Sequence, residues 1–131
     1  MGYCITVTDN QLKINKENFQ NCVNAIISLH GQETYQDHFS WVDRNFYQLN
    51  SLKDILNAWR WEPLYDESGN IQQLEFTGEK LGDDELLFKT LAPFIEPDSF
   101  INFRGEDNYH WQYAFDGKTM KELQGKVVYE S

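Results

Sequence analysis

The order of apolar and polar positions predicts a chain that begins and ends in strands, with three helices between them. Residues 3–8 alternate and hold three adjacent β-branched residues, Ile5, Thr6 and Val7, so a strand is expected there. Asp9-Asn10 is a turn signal, and Leu12 and Ile14 suggest a short return strand. Asn15 is placed to cap a helix over residues 16–30. In that stretch Phe19, Cys22, Val23, Ile26 and His30 recur at helical spacing, and Ile27 and Leu29 widen the stripe. Gly31 stands where a left-handed residue ends a helix, and His30 suits the negative end of the helix dipole.

The second helix starts at Ser51, with Asp54 three residues on in a near capping box. Leu52, Ile55, Leu56 and Trp59 form its apolar stripe, and Pro63 blocks any continuation. Residues 64–65 and 71–77 then read as a hairpin across Asp66-Glu67-Ser68-Gly69-Asn70, with Leu74 and Phe76 on one face and Glu75 on the other. Asp83 is the expected cap of a third helix, and Asp84 and Glu85 place negative charge at its positive end. Leu87, Leu91 and Phe94 line one side of it, Phe88 and Ile95 lie beside them, and Pro93 and Pro97 end it. Residues 99–104 and 109–115 form a second hairpin across Gly105-Glu106-Asp107-Asn108. Its return strand puts Tyr109, Trp111, Tyr113 and Phe115 on one face and His110, Gln112 and Ala114 on the other, as in a half-buried antiparallel strand. Asp116-Gly117 is a further turn, and residues 125–130, with Val127, Val128 and Tyr129, read as a last strand.

These elements add up to an α+β fold, an antiparallel β-sheet with about three helices packed on one face, in one domain of 131 residues. The order α-β-β occurs twice, an echo of architecture without matching residues. Residues 31–50 are the least regular stretch. They hold Tyr35, Phe39, Trp41, Phe46 and Tyr47 among Asp37, His38, Asp43 and Arg44, and Val42, Phe46 and Leu49 fit a short helix within it. Its aromatics are either a satellite core under the sheet or an exposed surface of the residue types that dominate binding hot spots.

Composition narrows the function. Nine Phe, seven Tyr and four Trp supply a core, so global disorder is not expected. A net charge of −10 argues against direct nucleic-acid binding and against anionic membrane surfaces. The charge serves either solubility or a basic protein partner, including mimicry of nucleic-acid phosphates. Two cysteines, Cys4 and Cys22, give no disulfide framework and read as small core residues. Residues 1–8 lack the basic start and long apolar run of a signal peptide, and the expected location is the cytoplasm.

No motif of covalent, metal or phosphate chemistry stands out. Neither cysteine has a histidine near it in sequence, the three histidines are widely spaced, and no Gly-x-Ser-x-Gly elbow is present. The carboxylate pairs Glu106-Asp107 and Asp83-Asp84 have structural explanations as a hairpin turn and a helix start. Gly78 to Gly82 precedes a helix, but Asp83, Asp84 and Glu85 would repel a phosphate. Arg104 is expected to pair with Glu106-Asp107. No cofactor and no metal are expected.

Phe39-Ser40-Trp41-Val42-Asp43, together with Gly105-Glu106-Asp107-Asn108 and Trp111, resembles small proteins of Gram-positive bacteria and their phages. Those carry a Phe-Ser-Trp-x-Asp segment and a Gly-Glu-Asp-Gly-x-x-Trp hairpin, and Asn108 stands here where they have glycine. The likeness spans most of the chain. It implies an origin near mobile elements, and it implies no activity and no catalytic residues.

The function expected from these features is that of a small acidic protein that binds and blocks a protein partner with a basic surface. A phage anti-CRISPR or other anti-defence inhibitor is its sharpest form. An immunity or adaptor protein for a bacterial toxin, and an enzyme whose site assembles only in space, are the alternatives. The expected partner-binding residues are Asp37, Phe39, Trp41, Asp43 and Arg44 in the irregular segment, with Asp66, Glu67, Glu106 and Asp107 in the two acidic turns.

Overall fold

The computed structural model describes residues 3–29, 42 and 45–124. The α+β class holds, with the strands divided between two antiparallel sheets. The larger has the order β1-β4-β5-β6, formed by β1 (Ile5–Gln11), β4 (Phe100–Gly105), β5 (His110–Phe115) and β6 (Met120–Gln124). The smaller is the hairpin of β2 (Trp61–Tyr65) and β3 (Ile71–Phe76). Among the described residues three helices accompany them: α1 (Phe19–Ile27), α2 (Leu52–Ala58) and α3 (Asp84–Leu91). Both α-β-β runs are present, but α2-β2-β3 ends in the small sheet and α3-β4-β5 in the large one.

The two sheets meet edge to edge along β1 and β3. Direct backbone bonds join them at both ends, Leu12 N–H to the Gln72 carbonyl at 3.1 Å and Ile5 N–H to the Glu79 carbonyl at 3.0 Å. Between these joints the Asn10 side chain takes the place of a peptide group. Its Nδ2 donates to the Leu74 carbonyl at 2.8 Å and its Oδ1 accepts from Leu74 N–H at 2.9 Å. Asp9-Asn10 is therefore not a turn. A bulge between Val7 and Asp9 absorbs the irregularity, β1 runs on to Gln11, and the side chain that suggested a turn finds a tertiary partner instead. Leu12 and Ile14 form no return strand, and Ile14 bridges Ile71 and Ile95.

Local signals placed most helix starts. Asn15 Oδ1 accepts from Glu17 N–H at 2.9 Å, opening a 3-10 turn (Lys16–Asn18) ahead of α1. Ser51 Oγ accepts from Asp54 N–H at 3.1 Å and starts α2. The predicted stripes are buried: Cys22, Val23 and Ile26; Leu52, Ile55, Leu56 and Trp59; Leu87, Phe88, Leu91 and Ile95. Val42 is half-buried and the short helix near it is the 3-10 turn Phe46–Gln48, whose Phe46 ring meets Trp59 edge-on at 5.5 Å. His30 and Gly31 lie outside the described residues.

Two proline expectations change, and one strand is added. α2 stops at Arg60, which turns the chain with φ 73°, and Pro63 lies buried inside β2 opposite Leu74. Among the described residues β2 has a partner on one side only, the setting in which a strand tolerates proline. Pro93 does not end α3 but sits in the 3-10 turn Ala92–Phe94 that prolongs it. The strand expected over residues 125–130 lies outside the described residues, and the strand that follows the Asp116 turn among them is β6. Pairing from Phe115↔Met120 to Trp111↔Gln124 decides its place.

The largest correction concerns the start of α3. Asp83 makes no capping bond with its side chain, and Asp84 is not a surface charge at a helix end but is only 1% exposed. Asp84 Oδ2 accepts from Arg60 Nη2 at 2.9 Å and from Gly82 N–H at 3.0 Å, and Oδ1 accepts from Trp61 Nε1 at 2.9 Å. Arg60 also donates from Nη1 to the Lys80 carbonyl at 2.5 Å, and its guanidinium lies 5.1 Å from the Phe76 ring centre. Beneath it the Trp61 ring touches Phe76, Phe88 and Phe103, so β2, β3, α3 and β4 share one aromatic centre.

Asp84→Ala leaves a buried guanidinium and an indole N–H without their acceptor, and is expected to destabilise the fold by about 3–5 kcal/mol in urea unfolding. Lys53→Ala removes an exposed pair with Glu62 at 3.8 Å and is expected to change stability by less than about 1 kcal/mol. Equal losses for the two variants would refute the assignment of Asp84 as the structural ion.

Candidate partner-binding site

The β4–β5 turn is built from Gly105, Glu106, Asp107 and Asn108, and Asn108 adopts φ 66°, a left-handed conformation that asparagine tolerates. Gly105 N–H bonds the Tyr109 carbonyl at 2.8 Å and Asn108 N–H the Gly105 carbonyl at 2.9 Å. The segment ahead of β1 lies against this turn. The Tyr3 ring crosses directly over Gly105, where a Cβ would overlap it, and its hydroxyl donates to Asp107. Cys4 N–H donates to Glu106 Oε1 at 3.3 Å, and Glu106 N–H to the Cys4 carbonyl at 3.0 Å. Lys80 Nζ lies 3.2 Å from Cys4 Sγ, and this bond is the main cause that holds the ammonium above its ordinary pKa. Cys4 is therefore half-exposed and engaged, not a core residue, while Cys22 is buried and its thiol is pushed up to about 12 by desolvation.

A cleft of about 260 Å³ opens beside this turn, at the mouth of the layer between α3 and the large sheet. Tyr3, Tyr109, Trp111, Tyr113, Leu81, Gly82, Glu85 and Glu122 line it. Trp111 and Tyr113 are buried and form its floor, whereas Tyr109 is 42% exposed. Tyr109 was expected on the buried face. It lies one position before β5 begins, beyond the end of the core, so its ring stays partly in water. The rings stand close together, Tyr109 to Trp111 at 5.8 Å and 29° and Tyr3 to Trp111 at 6.2 Å and 34°. Among the described residues, the charged ones in the lining are Glu85 and Glu122. Burial raises the Tyr113 hydroxyl first, and Glu85 and Glu122 raise it further.

The sequence-predicted site residues do not converge. Glu106 and Asp107 adjoin the cleft. Asp66 and Glu67 belong to the β2–β3 turn, near the other end of β1. Asp66 is a turn-former: Oδ1 accepts from Ser68 N–H at 2.9 Å and Asn70 N–H at 3.0 Å. Desolvation pushes its carboxyl up, but these amides outweigh it and the net shift is downward. Gly69 completes that turn with φ 88°. Asp37, Phe39, Trp41, Asp43 and Arg44 lie outside the described residues. Arg104 makes no ion pair with Glu106 or Asp107 among the described residues, since Cys4 and Tyr3 engage those carboxylates instead.

Sequence reasoning missed Tyr3, Tyr109, Glu85 and Glu122 as members of one site. The aromatic run of β5 was visible, but nothing local says that its first ring lies beyond the core or that β6 brings Glu122 beside it. A larger groove of about 510 Å³ lies where β1 and β3 diverge, lined by Ile5 to Asn10 and Gln73 to Phe76. Its single aromatic ring, Phe76, is already covered by Arg60. Among the described residues no three His, Cys, Asp or Glu side chains gather as a metal site, and no helix is long and apolar enough to cross a membrane.

The chain matches no protein-family model, no curated protein and no solved structure.

The Tyr3–Asp107 bond has a pH signature. It is the main cause that pushes the Tyr3 phenol up to about 12 and holds the Asp107 carboxyl below its ordinary value. The Tyr3 contribution to stability is full below the ordinary tyrosine pKa of about 10 and is lost as pH rises through about 12. The Asp107 contribution is present above the ordinary carboxyl pKa and is lost as pH falls through the lowered one. In an ultraviolet titration, Asp107→Asn is expected to return one tyrosine from about 12 toward its ordinary value. An unchanged titration curve would show that Tyr3 does not rest on Asp107.

Proposed function

We propose that the protein binds a basic surface of a protein partner through the end of the molecule formed by Tyr3, the β4–β5 turn and the cleft beside it, and blocks that surface. The observation that carries this reading is the pairing of exposed aromatic area with an excess of acid. Half-exposed Tyr3 and exposed Tyr109 stand among Glu85, Glu106, Asp107 and Glu122. Of the nearby lysines, Lys80 is engaged with Cys4, and Lys89 pairs with Glu85 at 3.0 Å on the surface. Aromatic anchors inside an acidic rim suit a partner rich in arginine and lysine, and the net charge of −10 speeds the encounter. The same features disfavour direct contact with nucleic acid, whose phosphates this end would repel. An anti-defence inhibitor and an immunity protein are both instances of this activity, and the partner distinguishes them.

The test compares partners retained by the wild-type protein and by a Glu106→Lys/Glu122→Lys double variant, at low and high salt. The expected partner is basic, is held at low salt and is released at high salt. Measured with purified components, the double variant is expected to weaken binding by roughly tenfold or more, mostly through slower association. A partner bound equally by both proteins, with no dependence on salt, would refute the reading.

A further inference from the structure

We infer that the cleft between α3 and the β5–β6 ladder is a socket for one cationic side chain, an arginine or lysine presented by a protein partner. This rests on the reading above and specifies the contact at its centre.

Three features select a cation. The first is the wall, which is aromatic, with Tyr3 and Tyr109 on the flanks and Trp111 and Tyr113 at the floor, and an organic cation is attracted to the negative face of an aromatic ring. The second is the rim, which carries Glu85 and Glu122 and, among the described residues that line the cleft, no positive one. Glu85 bonds Lys89 at 3.0 Å, but both side chains are at least half exposed, and such a pair yields easily to a better-placed cation. The third is capacity. About 260 Å³ admits one long side chain with its charged head, and nothing larger than a short segment. An apolar side chain would gain from the rings but would desolvate the two carboxylates without pairing them, which is unfavourable. A phosphate or carboxylate would meet like charge.

The rigidity of the socket comes from the fold. Gly105 lets the hydroxyl end of the Tyr3 ring approach the strand closely, and Asp107 ties the Tyr3 hydroxyl. Phe103 stacks on Trp111 at 5.2 Å and 10° from the neighbouring strand. The ring faces are thus held in place before a ligand arrives, so little order is lost on binding.

The experiment is an NMR titration of the full-length protein with N-acetyl-arginine amide, N-acetyl-lysine amide and tetramethylammonium, beside two uncharged analogues, N-acetyl-citrulline amide and N-acetyl-norleucine amide. The expected result is saturable shifts at Tyr109 and Trp111 with the charged ligands and not with the uncharged ones. Tyr109→Ala is expected to weaken binding of the charged ligands by roughly three- to tenfold, the size of a partly exposed cation–π contact. Glu122→Gln, an exposed change that leaves the rings in place, is expected to weaken it and to flatten its dependence on salt. Equal binding of the citrulline and arginine compounds would overturn the inference, because the cleft would then read shape and not charge. Charged ligands that shift no signal at Tyr109 or Trp111, or that bind Tyr109→Ala and Glu122→Gln unchanged, would overturn it as well. If the small cations bind and no basic protein partner is retained, the socket stands and the proposed function falls. If a basic partner is retained and no small cation binds the cleft, the reverse holds.

Discussion

The carboxylate of Asp84 is the interaction on which most of this molecule depends. One side chain accepts from the guanidinium that turns the chain out of α2, from the indole at the start of β2 and from the amide just before α3. A single buried charge thereby fixes the relative positions of a helix end, a strand start and a helix start that are 24 residues apart along the chain. Burying that charge is unfavourable in itself, and the arrangement is tolerable because each carboxylate oxygen is paired and the Arg60 side chain is only 15% exposed. The aromatic centre beneath it then follows. With Trp61 held by its ring nitrogen, its faces are free to pack on Phe76, Phe88 and Phe103.

The same clip reaches the candidate site at one remove. Arg60 also holds the Lys80 carbonyl, and Lys80 lies in the loop whose next residues, Leu81 and Gly82, line the cleft. Cys4 bridges to Lys80, and Tyr3 accepts Leu81 N–H on its carbonyl at 2.7 Å. Tyr3 is therefore placed by the loop on one side and by the Gly105 turn on the other. The two acidic turns differ in consequence. Both are joined to a second segment: Lys16 donates to Asn70 Oδ1 at 2.9 Å and to the Ser68 carbonyl at 3.0 Å in the turn at Asp66, while Tyr3 holds the turn at Asp107, which borders an aromatic cleft. Sequence alone presents them as equivalent.

Much of the fold was legible because it rests on signals spanning a few residues. Ser51 and Asn15 cap as their spacing demands, Gly69 and Asn108 take the left-handed positions of their turns, and the helical stripes face inward. Where expectation failed, a contact from far along the chain had changed the meaning of a local signal. Asn10 bonds Leu74 and stays in a strand. Pro63 is harmless on a strand paired on one side. Met120–Gln124 has the composition of a helix, with only Met120 buried, and becomes a strand because β5 offers it an edge.

By itself the sequence determined the α+β class, the starts of the first two helices, the hairpin turns and most of the core, since each follows from periodicity or from a side chain bonding its near neighbours. Only the tertiary structure decided that the strands divide into two sheets, that Asp84 is buried, and that Tyr3, Tyr109, Glu85 and Glu122 meet at one cleft. The physical reason is that burial and charge pairing are properties of neighbours in space. Asp83, Asp84 and Glu85 are adjacent acids in the chain, and what separates their roles is that Arg60 and Trp61 reach the second of them while the third lines the cleft.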